Sequence, residues 1–139
     1  RRFELDDKPV ADARVGDIVS ATVTLIVPDD RYHLLVEVPI PAGTEAVDSS
    51  LATERPEFGP PELTPVDEPF TRWTPTYTDI RDDKVALFAT YVPAGTYQYT
   101  VQVRATVPGE YRVLPVYAEQ MYFPDVWGRS AGQLFTVIE

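Results

Sequence analysis

The chain has 139 residues, a formal net charge of −10 and no cysteine. A chain of this length can bury close to ~70 % of its unfolded surface in one domain. The absence of cysteine excludes disulfides, thiolate metal sites and a cysteine nucleophile. The acidic balance argues against nucleic acid and anionic membranes as partners, because phosphate binding needs a basic surface.

The first 40 residues predict a short edge strand followed by two long strands. Residues 3–5 form the short one. Residues 17–27 and 31–40 alternate between apolar and polar side chains, with Tyr32 among the inward positions and His33 among the outward ones. Side chains of a strand alternate with a period of two, so each segment should have one buried and one wet face.

Residues 45–76 are proline-rich and show little periodicity. We predict that they form an irregular excursion within a single domain spanning residues 1–139. Loops of this length are usually functional or mobile.

Residues 96–105 alternate without a break and predict the central strand of the fold. Proline and glycine in residues 92–95 and 107–110 indicate a turn on each side of it. The interpretation is a meander, in which residues 84–91 and 111–114 are the hairpin partners of the central strand.

The remaining segments complete a fold made of strands. Residues 77–80 and 133–138 are predicted strands, and the aromatic-rich residues 115–130 are predicted as an ordered crossover loop. About seven antiparallel strands with turn signals between them predict an all-β, immunoglobulin-like sandwich.

The chain offers little for catalysis or cofactor binding. His33 is its only histidine, and no serine nucleophile stands at a recognisable spacing from it. A solvated strand histidine is the favoured interpretation, and a hydrolase would depend on His33 alone. The aspartate pairs lie in turns, and no phosphate loop, zinc spacing or calcium loop is present. We therefore predict no catalytic residue, no cofactor and no metal.

An aromatic cluster near the end of the chain has two interpretations. It is either a binding platform, since tyrosine and tryptophan dominate binding hot spots, or packing beneath the crossover. Its members are Tyr111, Tyr117, Tyr122, Phe123 and Trp127.

Several segments, in this order, resemble the C-terminal, MG10-type macroglobulin-like domain of bacterial alpha-2-macroglobulins. The resemblance covers nearly the whole chain apart from the proline-rich excursion. The segments that carry it include Val15-Gly16-Asp17, Arg81-Asp82-Asp83, Arg104-Ala105-Thr106 and Met121-Tyr122 with Gly128-Arg129-Ser130.

The resemblance implies a function for a larger protein. Family members are extracytoplasmic, often periplasmic and lipid-anchored, and they trap proteases when a bait region is cut. Many carry a thioester in a Cys-x-Glu-Gln motif. Here Tyr117 precedes Ala118-Glu119-Gln120 in place of cysteine, so no thioester can form in this chain. The implied role is non-catalytic: the domain docks on neighbouring domains and shields the native state.

Five residues are candidates for contacts between domains: Arg81, Asp83, Glu119, Tyr122 and Trp127. Arg81 is expected to pair with Glu119 or Asp83. The expected partners are neighbouring domains of the same polypeptide, with proteases as targets of the full-length protein and no membrane contact by this domain. The alternative is a stand-alone extracellular adhesion or carbohydrate-binding module that uses Tyr122 and Trp127.

Overall fold

The computed structural model describes residues 1–47, 63–66 and 77–139. Within these ranges the chain forms fourteen strands and no helix. The strands are β1 (Arg2–Leu5), β2 (Lys8–Pro9), β3 (Asp12–Arg14), β4 (Ile18–Val27), β5 (Arg31–Pro39), β6 (Thr44–Ala46), β7 (Leu63–Pro65), β8 (Tyr77–Ile80), β9 (Lys84–Val92), β10 (Gly95–Ala105), β11 (Gly109–Val113), β12 (Tyr117–Gln120), β13 (Phe123–Arg129) and β14 (Gln133–Ile138).

The strands form three sheets around one core, which confirms the predicted all-β sandwich. The first sheet has the order β2-β1-β4-β10-β6, with β7 also paired to β10. The second has the order β13-β12-β5-β9-β8, and the third has the order β11-β14-β3. Buried side chains from all three sheets belong to a single apolar cluster. The strands beyond the predicted seven are mostly segments of two to five residues.

The central strand is β10, and its longest partner is β4. Their antiparallel register runs from Gly95 opposite Val27 to Arg104 opposite Ile18. The predicted alternation places Tyr99, Val101 and Val103 in the core, each at most 1 % exposed.

The predicted meander around β10 is wrong. β9 pairs with β5 and β8, and β11 pairs with β14, so neither is a hairpin partner of β10. The turns before and after β10 instead carry the chain from one sheet to another.

A tyrosine holds each of these crossings. The Tyr97 hydroxyl donates to the Pro93 carbonyl at 2.7 Å, and the Tyr111 hydroxyl donates to the Val107 carbonyl at 2.8 Å. A tyrosine bonded to backbone a few residues upstream is the tyrosine corner of sandwich folds. Proline and glycine are compatible both with a hairpin turn and with a connection between two sheets. A tyrosine bonded to the carbonyl four residues before it identifies the connection between sheets.

The described part of the proline-rich excursion lies against β10. β6 pairs with β10 at residues 103–105, and β7 pairs with it at residues 97–99. Both described parts of the excursion therefore lie beside the same strand. Residues 48–62 and 67–76 lie outside the described residues.

The predicted crossover loop at residues 115–130 is a β-hairpin made of β12 and β13. Gln120 pairs with Phe123 and Glu119 with Trp127, so β13 has extra residues where the register shifts. β13 is an edge strand of its sheet. A proline and a bulge are tolerated at an edge because one side of the strand has no partner to lose.

Candidate functional site

A group of exposed aromatic side chains lies on the β12–β13 hairpin. We call it the hairpin surface and define it by four exposed side chains: Met121, Tyr122, Phe123 and Trp127. Tyr122 is 70 % exposed and Trp127 is 56 % exposed. Several exposed aromatic and large apolar side chains within one hairpin are typical of an interaction surface.

Backbone pairing fixes the position of the hairpin surface. β12 pairs with β5 from Tyr117 opposite Glu37 to Gln120 opposite Leu34. One residue further, the Met121 amide donates to the His33 carbonyl at 2.9 Å. The turn that carries Met121 and Tyr122 is thus joined to the middle strand of the second sheet.

Trp127 lies over a neighbouring tyrosine. The Trp127 and Tyr117 rings are stacked with their centroids 6.2 Å apart. The Tyr117 hydroxyl donates to a Glu119 carboxylate oxygen at 3.2 Å. Desolvation, followed by this bond to Glu119, raises the pKa of Tyr117. Beside Trp127 an apolar groove reaches Ile26 at the end of β4.

Tyr122 has a ring partner on β5. The rings of Tyr122 and His33 meet edge to face, with centroids 4.9 Å apart and an interplanar angle of 84°. His33 has a φ of 55°, in the left-handed region. Because this breaks the alternation of β5, the prediction that Tyr32 points inward is wrong: Tyr32 and His33 are both exposed.

The five predicted contact residues lie in two places. Glu119, Tyr122 and Trp127 belong to the hairpin, whereas Arg81 and Asp83 lie in the connection between β8 and β9. β5 and β9 separate β12 from β8 in the sheet. Three spacings of about 4.8 Å between neighbouring strands put the two places at least about 14 Å apart.

The predicted pairing of Arg81 is wrong. Its Nε atom contacts a carboxylate oxygen of Asp79 at 2.7 Å. Hydrogen bonding to Asp79, and then its charge, raise the pKa of Arg81, while Asp83 adds a smaller attraction. Asp79 and Asp83 are each two residues from Arg81, but only Asp79 lies on an extended strand, and the chain bends at residues 82 and 83. Side chains two residues apart share one face only while the backbone stays extended.

The described residues contain no group of three or more histidine, aspartate or glutamate side chains suited to hold a metal ion. In the same part of the chain, no helix is available that could cross a membrane.

Comparison with known proteins gives one family for almost the full length. The family model described as the bacterial alpha-2-macroglobulin MG10 domain matches residues 2–125. An alpha-2-macroglobulin homolog of Nostoc sp. is 26 % identical over 133 residues, which are 96 % of this chain and 6 % of that protein. Circularly permutated Ras protein 2 of Dictyostelium discoideum is 28 % identical over 130 residues, covering 93 % of this chain and 3 % of that protein.

The fold is shared with a solved structure. Escherichia coli alpha-2-macroglobulin activated by porcine elastase aligns with a TM-score of 0.81 at 20 % identity, covering 99 % of this chain and 13 % of that one. The chain thus spans a small fraction of each protein that it resembles.

Proposed function

Because the chain belongs to the bacterial alpha-2-macroglobulin MG10 domain family, we propose that it is a non-catalytic, C-terminal domain of a protease trap. Its task is to dock on neighbouring domains of the same polypeptide and to stabilise and shield their native arrangement. The proteases are targets of the full-length protein, which acts outside the cytoplasm. A relative activated by an elastase supports this class of target.

One observation carries the docking proposal: the hairpin surface exposes aromatic side chains, two of which already have ring partners within the domain. Tyr122 meets the His33 ring, and Trp127 stacks on Tyr117. Aromatic side chains that are already ordered lose little conformational freedom on binding. They are also the side chains that most often carry the binding energy of an interface.

Shielding follows from the same contact. A domain seated through the hairpin surface would exclude water from the region beneath it and keep that neighbour from separating. If the full-length protein carries a thioester, the cysteine must lie in another domain, because this chain has none.

The test is amide hydrogen exchange in the full-length protein, followed at residues 117–129. We expect Tyr122→Ala to speed exchange there, because the docked state loses an anchor and opens more often. The effect should be absent when the 139-residue chain is studied alone.

Tyr77→Ala is the matched control. Tyr77 is 59 % exposed, lies on β8 at the opposite edge of the same sheet and also has a ring partner, Phe88 at 5.8 Å. It should leave exchange at residues 117–129 unchanged. Equal protection of these residues in the full-length protein and in the chain alone would overturn the docking proposal. Binding of a glycan by the chain alone, lost in Trp127→Ala, would favour an adhesion module instead.

A further inference from the structure

We propose that His33 is a positioning residue, whose strained backbone and ring hold Tyr122 in the orientation that docks. The inference rests on the proposed docking function and names a residue outside the hairpin that the surface depends on. Its basis is a backbone outlier together with two contacts to the same turn.

The backbone of His33 is unusual for its location. Its φ of 55° lies in the left-handed region, which residues other than glycine seldom adopt. The other described non-glycine residues with positive φ are Asp6 and Asp7, which form the turn between β1 and β2. His33 instead lies inside β5, between the pairs Tyr32 opposite Tyr91 and Leu34 opposite Ala89.

Core packing does not account for this conformation. Leu34, the next residue, is buried and resumes the alternation, while the His33 side chain is exposed. A strained backbone conformation that is not compensated by burial of its side chain usually occurs at a functional position. The contacts that His33 makes must therefore account for its left-handed conformation.

Both contacts of His33 lead to the hairpin turn. Its carbonyl accepts the Met121 amide at 2.9 Å, and its ring and the Tyr122 ring meet edge to face with centroids 4.9 Å apart. His33 thus contacts both the backbone of the turn, at Met121, and the side chain of the next residue, Tyr122. Tyr122 remains 70 % exposed, so this contact leaves much of its surface free for a partner.

Holding the ring in place strengthens docking through pre-organisation. A free tyrosine on a turn samples several rotamers, and a partner must select one of them. An edge-to-face aromatic contact favours a single orientation. Loss of the His33 ring should therefore weaken docking while leaving the fold intact.

The test uses His33→Asn and His33→Gly in the full-length protein. Asparagine tolerates positive φ and lacks an aromatic ring, and glycine adopts this conformation without strain. We expect either variant to speed amide exchange at residues 117–129 by roughly two- to tenfold, because the partner must then select the ring orientation that the aromatic contact favours. Neither should lower the denaturant midpoint of the chain. Adding either change to Tyr122→Ala should speed exchange no further.

A spectroscopic signature separates positioning from a general structural role. With 3-fluorotyrosine placed at position 122, the fluorine resonance should shift in His33→Asn, because the imidazole ring current is removed. The same probe at position 77 should not shift.

The outcomes distinguish this inference from the docking proposal. If Tyr122→Ala speeds exchange and neither His33 variant does, the positioning role is wrong and docking stands. If no variant changes exchange, both are wrong. An unchanged fluorine resonance at position 122 would also overturn the positioning role.

Discussion

Single side chains stabilise the connections between sheets, and the Tyr111 ring is closely packed in one of them. Its hydroxyl bonds to the Val107 carbonyl at 2.8 Å, and its ring lies directly on Gly43. The Gly43 carbonyl in turn accepts the Thr106 amide at 2.9 Å. Position 43 thus requires a residue without a side chain, because the segment around Tyr111 packs directly against it.

We predict that Gly43→Ala destabilises the fold by about 1–3 kcal/mol, the usual cost of overpacking. A Cβ atom at Gly43 would overlap the Tyr111 ring, so the ring must move and its hydrogen bond is lost. The measurement is the free energy of unfolding by urea. Gly128→Ala is the matched control, because its Cβ atom would meet nothing within 4 Å.

A double-mutant cycle identifies the cause. In a Tyr111→Ala background the overlapping ring is gone, so Gly43→Ala should cost much less. The same penalty in both backgrounds would show that the Tyr111 ring is not responsible.

Strand segments follow from the local pattern, whereas their pairing does not. Alternation predicted β4, β5 and β10 to within one residue at each end, and the segments predicted at residues 84–91, 77–80 and 133–138 match β9, β8 and β14 equally closely. Alternation says which face of a strand is buried but not which strand lies beside it. The tetrapeptide Pro-Ala-Gly-Thr at residues 41–44 and 93–96 illustrates this limit. Gly95 needs a positive φ, whereas Gly43 needs room for a ring from another segment.

Two crossings at one end of the sandwich are joined by Asp30. It lies between β4 and β5, and its carboxylate accepts the Ala94 amide at 2.8 Å and the Tyr91 hydroxyl at 3.0 Å. These bonds, the Ala94 amide first, lower the pKa of Asp30. A carboxyl whose pKa is lower in the folded state adds stability above its unfolded pKa of 3.8 and loses it as the pH falls below that value.

We therefore predict that Asp30→Asn reduces stability at neutral pH and flattens its fall in acid below about pH 4. The measurement is the urea midpoint as a function of pH. Asp29→Asn is the matched control, since Asp29 is adjacent, is largely exposed and reaches Arg31 only at 3.9 Å. Parallel acid profiles for the Asp30 variant and the unaltered chain would contradict the prediction.

At the scale of the whole domain, the sequence predicted an aromatic cluster but did not show that its members divide between a connection between sheets and an exposed surface. Tyr111 belongs to a crossing, while Tyr122, Phe123 and Trp127 face outward. That division depends on β12 pairing with β5, which no local signal gives. The predicted pairing of Arg81 with Glu119 or Asp83 is wrong, and the order of strands keeps Arg81 away from Glu119. The sequence predicts a solvated strand residue at His33 and does not predict its backbone conformation, because an alternating pattern carries no information on a left-handed φ.

The chain spans only a small share of its relatives' length, and we therefore predict that it does not inhibit a protease by itself. It covers 13 % of the elastase-activated Escherichia coli protein and 6 % of the Nostoc homolog. A trap must enclose or hold a protease, which requires the surrounding domains. We therefore expect the 139-residue chain, mixed with an equal amount of trypsin, to leave the rate of casein cleavage unchanged. The full-length protein under the same conditions is the control and should slow the cleavage. Stoichiometric inhibition by the chain alone would contradict the docking role, because the inhibitory surface would then lie within this domain.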